Sequence, residues 1–163
     1  MSYSEELSEQ NEKVAAGIIG AILFSLIGGA LYIALYKIDI FSPVSGIAAV
    51  ILSIVGFRLF GKKPSLKSVF IPMIITIAVM VLAIYLTLAW DAYSVYAIWY
   101  ENGEAEHSIT AGQALLYGYQ FLADPGILAY YIKQFGLTVL FCIVGSVLFI
   151  IDGIKLYREQ RDY

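Results

Sequence analysis

Residues 14–36, VAAGIIGAILFSLIGGALYIALY, contain no charge and no proline. As a helix at 1.5 Å per residue this run is about 35 Å long, enough to cross a hydrocarbon layer of about 30 Å. Its small residues are not scattered. Gly17, Ala21, Ser25 and Gly29 recur at every fourth position and share one face of the helix. In lipid there is little hydrophobic drive to pair helices, so close backbone approach and van der Waals contact supply it. The stretch therefore reads as a membrane helix with a shallow groove for a neighbour.

The rest of the chain agrees with a membrane setting. Of 163 residues, 60% are hydrophobic and 14% charged, and mean hydropathy is +0.79. Soluble domains run nearer half apolar and about a quarter charged. The single cysteine, Cys142, excludes an intramolecular disulfide. The basic residues form no large patch with interleaved aromatics, which argues against nucleic acid as a partner. The N-terminal MSYSEELSEQNEK is acidic and has neither the basic region nor the small-residue cleavage site of a signal peptide. Residues 1–13 read as a frayed cytoplasmic polar tail, and helix 1 is expected to remain in the mature protein.

The spans follow from apolar runs and breakers. Helix 1 covers 14–36. Helix 2 covers 43–61, with Ser42 as N-cap and Pro43 at the first helical position. The short link between them makes an antiparallel hairpin. Helix 3 starts at Ser68, spans the membrane over 68–90 and meets no breaker before Asn102-Gly103, so it extends to Glu101. Its length of about 34 residues, ~51 Å, exceeds the hydrocarbon thickness, so its last turns stand above the membrane. Helix 4 covers 134–157, with a start as early as Pro125 because Asp124-Pro125 is an N-cap followed by an N1 proline. Thr110 to Gln113 has the form of a capping box and opens a short helix over 111–123. Residues 91–133 form a cap, and 158–163 a second cytoplasmic tail. The fold class is an all-α polytopic membrane protein: four transmembrane helices in one membrane domain (14–157) with a small extracytoplasmic helical cap.

Basic residues set the orientation, because cytoplasmic loops carry the Lys/Arg excess. Lys13, Arg58, Lys62, Lys63, Lys67, Lys155, Arg158 and Arg161 fall on one side of a four-span arrangement, and only Lys37 and Lys133 on the other. Both termini are expected to be cytoplasmic and the cap outside.

Several groups are candidates for function. The stripe on helix 1 has a counterpart on helix 2, formed by Ser45, Ala49 and Ser53. The two stripes either pack on one another or receive another subunit or a second copy of the chain. In the cap, Asp91, Glu104 and Asp124 lie among Trp99, Tyr100 and Tyr117, and aromatic rings beside carboxylates suit a peptide, a sugar or a cation. The same rings read equally as an interfacial aromatic belt or as the cap's own core. Glu104, Glu106 and the only histidine, His107, carry ligating groups, but their spacing matches neither a zinc helix nor a calcium loop, so no metal or other cofactor is expected. Asp152, the deepest acid, lies one turn before Lys155. It pairs with that residue, or with Arg58 if helices 2 and 4 touch, as an intramembrane ion pair.

No nucleophile motif, zinc signature or phosphate loop is present, and no catalytic residue is assigned. The chain lacks the broken helix pairs of many secondary transporters. The glycine-studded first hairpin, the basic turn GFRLFGKK, DAYSVYAIWYENGE and QALLYGYQFLADPGIL resemble, over nearly the whole chain, a group of small membrane proteins of Gram-positive bacteria with no assigned activity. That resemblance implies a bacterial plasma-membrane home and carries over no site residue. The sequence thus points to a non-enzymatic accessory or interaction subunit of a plasma-membrane assembly, with lipid and a homo-oligomer or other membrane subunit as partners. The alternative is a small solute-binding or transport protein that uses the cap.

Overall fold

The computed structural model describes the backbone of residues 3–61 and 67–161, and side chains at 13–61, 68–151, 154 and 155. The chain is an all-α polytopic membrane fold. Its helices are α1 (Tyr3–Lys37), α2 (Ser45–Gly61), α3 (Lys67–Glu101), α4 (Ala111–Tyr117) and α5 (Pro125–Arg161). Four of them supply runs long and apolar enough to cross a membrane, at Lys13–Lys37, Ser42–Gly61, Ser68–Glu101 and Pro125–Ile151.

The start of α1 and the end of α5 differ from the sequence reading, while α5 takes the earlier of its two expected starts. Helix α1 begins at Tyr3 rather than at residue 14. The residues expected to fray are mostly Glu, Gln, Leu and Lys, good helix formers, so the apolar helix continues into them without a stop signal. Helix α5 starts at Pro125 and runs through Gly136 to Arg161 without a break. Glycine lowers helix propensity without ending a helix whose neighbours hold it. Asp124 caps this helix as expected, its Oδ1 accepting from the amides of Gly126 (2.8 Å) and Ile127 (3.1 Å).

The link from α1 to α2 also departs in detail. Asp39 adopts a left-handed φ of +53°, the conformation that commonly closes a helix C-terminus. Around it, the amide of Ile40 returns to the carbonyl of Leu35 at 3.0 Å. A tight turn over Ser42–Val44 then precedes α2, and Ser42 contributes its carbonyl to the Ser45 hydroxyl (2.8 Å) instead of a side-chain cap.

Glycine placement decides how the helices pack. A Cβ on Gly20 would stand 2.4 Å from the Gly56 carbonyl oxygen, and one on Gly28 2.2 Å from the Ala49 Cβ. Helices α1 and α2 therefore touch backbone to backbone. Helix α5 closes on α2 in the same way, since a Cβ on Gly46 would meet the Thr138 carbonyl oxygen at 2.8 Å. Helix α3 packs on α1 beside Gly29, whose nearest neighbour is Val79 Cγ1. One core cluster joins Tyr32, Ala49, Met80, Ala83, Ile84, Leu88 and Tyr131, and a second joins Val50, Ile54, Val69 and Cys142.

Several buried serine and threonine hydroxyls are satisfied by backbone carbonyls within the bundle, whereas the buried Tyr32 hydroxyl has no partner among the described residues. Ser25 donates to the Ile22 carbonyl (2.9 Å), Thr76 to Pro72 (2.8 Å) and Thr138 to Gln134 (2.8 Å). Such bonds let small polar residues line a helix interface without an unpaired group in an apolar setting. The outward faces are apolar instead, with Ile74 65% and Leu148 73% exposed, as lipid-facing positions should be.

The cap folds onto α3. The Thr110 and Gln113 pair forms the expected capping box: Thr110 Oγ1 accepts from the Gln113 amide (3.3 Å), and Gln113 Oε1 from the Thr110 amide (2.8 Å). The tract expected as one helix over 111–123 tightens after Tyr117 into a narrower helical turn over Gly118–Ala123. Gly118 sits over Ala89, where a Cβ would come within 3.3 Å of the Ala89 Cα. The Tyr85 hydroxyl donates to the Leu115 carbonyl at 2.5 Å and ties the cap to the α3 shaft.

A candidate binding cleft under the cap

The carboxylate of Asp91 is the polar centre of the cap end. It sits on α3, about ten residues or ~15 Å before that helix ends. Two tyrosine hydroxyls from different helices donate to it. Tyr36 on α1 bonds Asp91 Oδ2, and Tyr131 on α5 bonds the same oxygen at 2.7 Å. The two hydroxyls stand 3.3 Å apart. The Tyr36 ring in turn stacks on Tyr32, centroids 6.5 Å apart. Three helices are thus joined through one oxygen atom. Among the described residues Asp91 Oδ1 accepts no hydrogen bond, and Asp91 forms no ion pair.

Cavities open on both sides of this group. The larger is a cleft of about 1080 Å³ between the upper part of α3, the cap and the first turns of α5. Six aromatic side chains line it, Tyr96, Trp99, Tyr117, Phe121, Tyr130 and Tyr131, together with the carboxylates Asp91 and Asp124. No Lys, Arg or His is among its lining residues. Tyr96 is held edge-on by Trp99 (centroids 5.3 Å apart) and by Phe121 (5.7 Å), so the aromatic wall spans α3 and the cap. The smaller cavity, about 690 Å³, lies toward the α1–α2 link and is lined by polar groups such as Lys37, Asp39, Ser42 and Gln134. Asp91 and Tyr130 border both. Lys37 does not reach Asp91; its Nζ lies 3.7 Å from the centroid of the Trp90 ring, a cation–π contact.

Of the residues that the sequence marks as a ligand surface, Asp91, Trp99, Tyr117 and Asp124 line the cleft. Tyr100 and Glu104 do not; both are exposed near the end of α3. Glu104, Glu106 and His107 are exposed in the link that follows, and among the described residues no three His, Cys, Asp or Glu side chains converge as metal ligands.

The small-residue stripe lies inside the chain. Gly17 faces the Phe57 ring, the Ala21 carbonyl accepts from Ser53 (3.2 Å), Ser25 is fully buried, and Gly29 faces Val79. Ser45, Ala49 and Ser53 of α2 are buried as well. The grooves are filled by neighbours in the same molecule. Arg58 reaches α5, its guanidinium carbon 5.0 Å from the Phe149 ring centroid, and its buried Nε and Nη2 have no hydrogen-bond partner among the described residues. The side chain of Asp152, expected as its ion-pair partner, lies outside the described residues.

Tyr130 and Tyr131 belong to the aromatic run that the sequence places in the cap, but the sequence reading did not join Tyr131 or Tyr36 to Asp91, nor place Gln134 beside them. The available signal was Asp91 itself, an acid inside a continuous apolar helix, which requires donors; which side chains supply them is set by the packing of α1 and α5 on α3. Comparison with known proteins lends no function, since no family model, curated protein or solved structure matches the chain.

Proposed function

We propose that this protein is a multi-pass component of a bacterial plasma membrane that binds a small solute in the cleft under its cap and performs no catalysis. Both termini are placed in the cytoplasm and the cap outside, on the strength of the Lys/Arg distribution. The observation that carries the reading is the cleft itself. It is large enough for a drug-sized ligand, is walled by aromatic rings, and ends on a partly buried carboxylate with one oxygen unengaged among the described residues. The competing role, an accessory subunit docking a second copy or another membrane protein, drew on the α1 stripe. That stripe is occupied within the chain, so such docking would need another face.

The test is thermal unfolding in lipid nanodiscs with a panel of small cationic, neutral and anionic solutes. A ligand at a hundred times its Kd stabilises by about 2.7 kcal/mol. At roughly 2–4 °C per kcal/mol for a chain of this size, Tm rises by about 5–10 °C. Ser94→Phe, which fills the cleft, should abolish the rise. No response to any class, or a response that survives Ser94→Phe, refutes the reading.

A further inference from the structure

We propose that the cleft selects an organic ammonium group, an inference that rests on the solute-binding reading above and names its ligand class. Three observations point to a cation. First, the charged groups lining the cleft are Asp91 and Asp124, with no basic side chain beside them. Second, Asp91 has no ion-pair partner among the described residues, and both tyrosine hydroxyls that reach it bond Oδ2, which leaves Oδ1 open to a ligand donor. Lys37, which lines the neighbouring cavity, is engaged with the Trp90 ring instead. Third, aromatic faces and edges from Tyr96, Trp99 and Phe121 form one wall. Aromatic rings attract ammonium groups through their quadrupoles, and more strongly where water is excluded.

A carboxylate held partly out of water attracts a cation more strongly than it would in bulk water. An anion in the same cleft would face two carboxylates and no compensating charge. A neutral solute would leave Oδ1 without a charged partner. The ammonium with an apolar body meets both halves of the lining: nitrogen toward Asp91, carbon against the rings. The same chemistry is offered by a free amine and by the headgroup of a zwitterionic lipid.

The chain has two tryptophans, Trp90 and Trp99, so Trp90→Phe leaves Trp99 as the only tryptophan reporter, inside the cleft. In uncharged dodecyl maltoside micelles, its emission is titrated with benzyltrimethylammonium, benzyl alcohol and phenylacetate. Expected is binding of the ammonium at least about tenfold tighter than the alcohol, equivalent to about 1.4 kcal/mol, with phenylacetate weakest. Asp91→Asn should erase the tenfold preference. Should that variant fail to fold, Asp124→Asn, which keeps a capping oxygen for α5, should reduce the preference severalfold.

Equal affinity for ammonium and alcohol, a preference that survives both variants, or no response of Trp99 to the ammonium overturns the proposal. If the alcohol or phenylacetate binds as tightly as the ammonium and is lost in Ser94→Phe, the charge selectivity falls while the solute-binding reading stands. Repeating the titration in nanodiscs of phosphatidylglycerol, with and without phosphatidylethanolamine, separates the sources. Competition by the ethanolamine lipid identifies a headgroup; its absence identifies a free amine.

Discussion

Replacing Gly28 by alanine should open the seam between α1 and α2. The new Cβ would stand 2.2 Å from the Ala49 Cβ and 2.5 Å from the Ala49 Cα. Carbon atoms in good contact lie about 3.5–4.0 Å apart, so the two helices must separate locally by ~1.3 Å. A gap of that size forfeits half or more of each dispersion contact along the seam, and overpacking typically costs about 1–3 kcal/mol. An approach of 2.2–2.5 Å that includes backbone belongs at the upper end of that range, and alanine returns up to ~1 kcal/mol of helix propensity, leaving a net loss of about 2 kcal/mol.

Two other glycines calibrate this expectation. At Gly17 the nearest atoms belong to the Phe57 ring, at 3.0–3.1 Å; a side chain can give way, so Gly17→Ala should lose less than Gly28→Ala. At Gly136 a Cβ meets nothing within 4 Å, so Gly136→Ala should gain ~0.5–1 kcal/mol from propensity alone. Reversible unfolding in bicelles, by steric trapping or denaturing-detergent titration, ranks the three. The expected order of stability is Gly136→Ala, wild type, Gly17→Ala, Gly28→Ala. If Gly28→Ala is as stable as wild type, α1 and α2 do not meet at this closeness and the hairpin geometry is wrong.

Other consequences concern the cap end. Tyr36→Phe and Tyr131→Phe each remove one hydroxyl from Asp91 Oδ2, a bond to a charged group worth about 1.5–3 kcal/mol. Because both serve one oxygen, a double-mutant cycle should show coupling of at least ~0.5 kcal/mol; strict additivity would mean that they do not share it. Thr110→Ala breaks the capping box at a cost of about 1 kcal/mol. Hydrogen exchange should then quicken roughly fivefold at the 114–117 amides and not at all in α2; uniform quickening would contradict a locally anchored cap. Lys37→Gln removes the cation above Trp90 and should shift Trp90 emission in a Trp99→Phe background while costing ~0.5–1 kcal/mol; unchanged emission would refute the contact.

The sequence patterns that foretold structure were local ones. Apolar runs marked the four long helices, the absence of a breaker before Asn102-Gly103 carried α3 to Glu101, and Thr110, Gln113 and Asp124-Pro125 marked the starts of α4 and α5. Asp91, Trp99, Tyr117 and Asp124 were found because acids and rings cluster in one tract of chain. What stayed hidden depends on residues far apart in sequence. Tyr36 and Tyr131 lie 55 and 40 positions from Asp91, and no spacing rule links a helix end to a side chain on another helix. The stripe showed that α1 accepts a close neighbour, but a flat face is equally suited to its own chain or to another, so only the packed bundle distinguishes them. Tyr100 and Glu104 were included because they share the tract; Tyr100 is exposed on the last turn of α3 and Glu104 in the link beyond it, and neither lines the cleft.

The most direct test of the central claim is the accessibility of the cleft from outside the cell. Ser94 lines the cleft on α3, and the one native thiol, Cys142, is buried and serves as the unreactive control. Cells expressing Ser94→Cys are treated with a membrane-impermeant maleimide before and after lysis. A cleft that opens outward beneath an external cap predicts labelling of the intact cells, slowed by benzyltrimethylammonium. Labelling only after lysis would place the cap on the wrong side of the membrane or close the cleft to solvent, and either result contradicts the account.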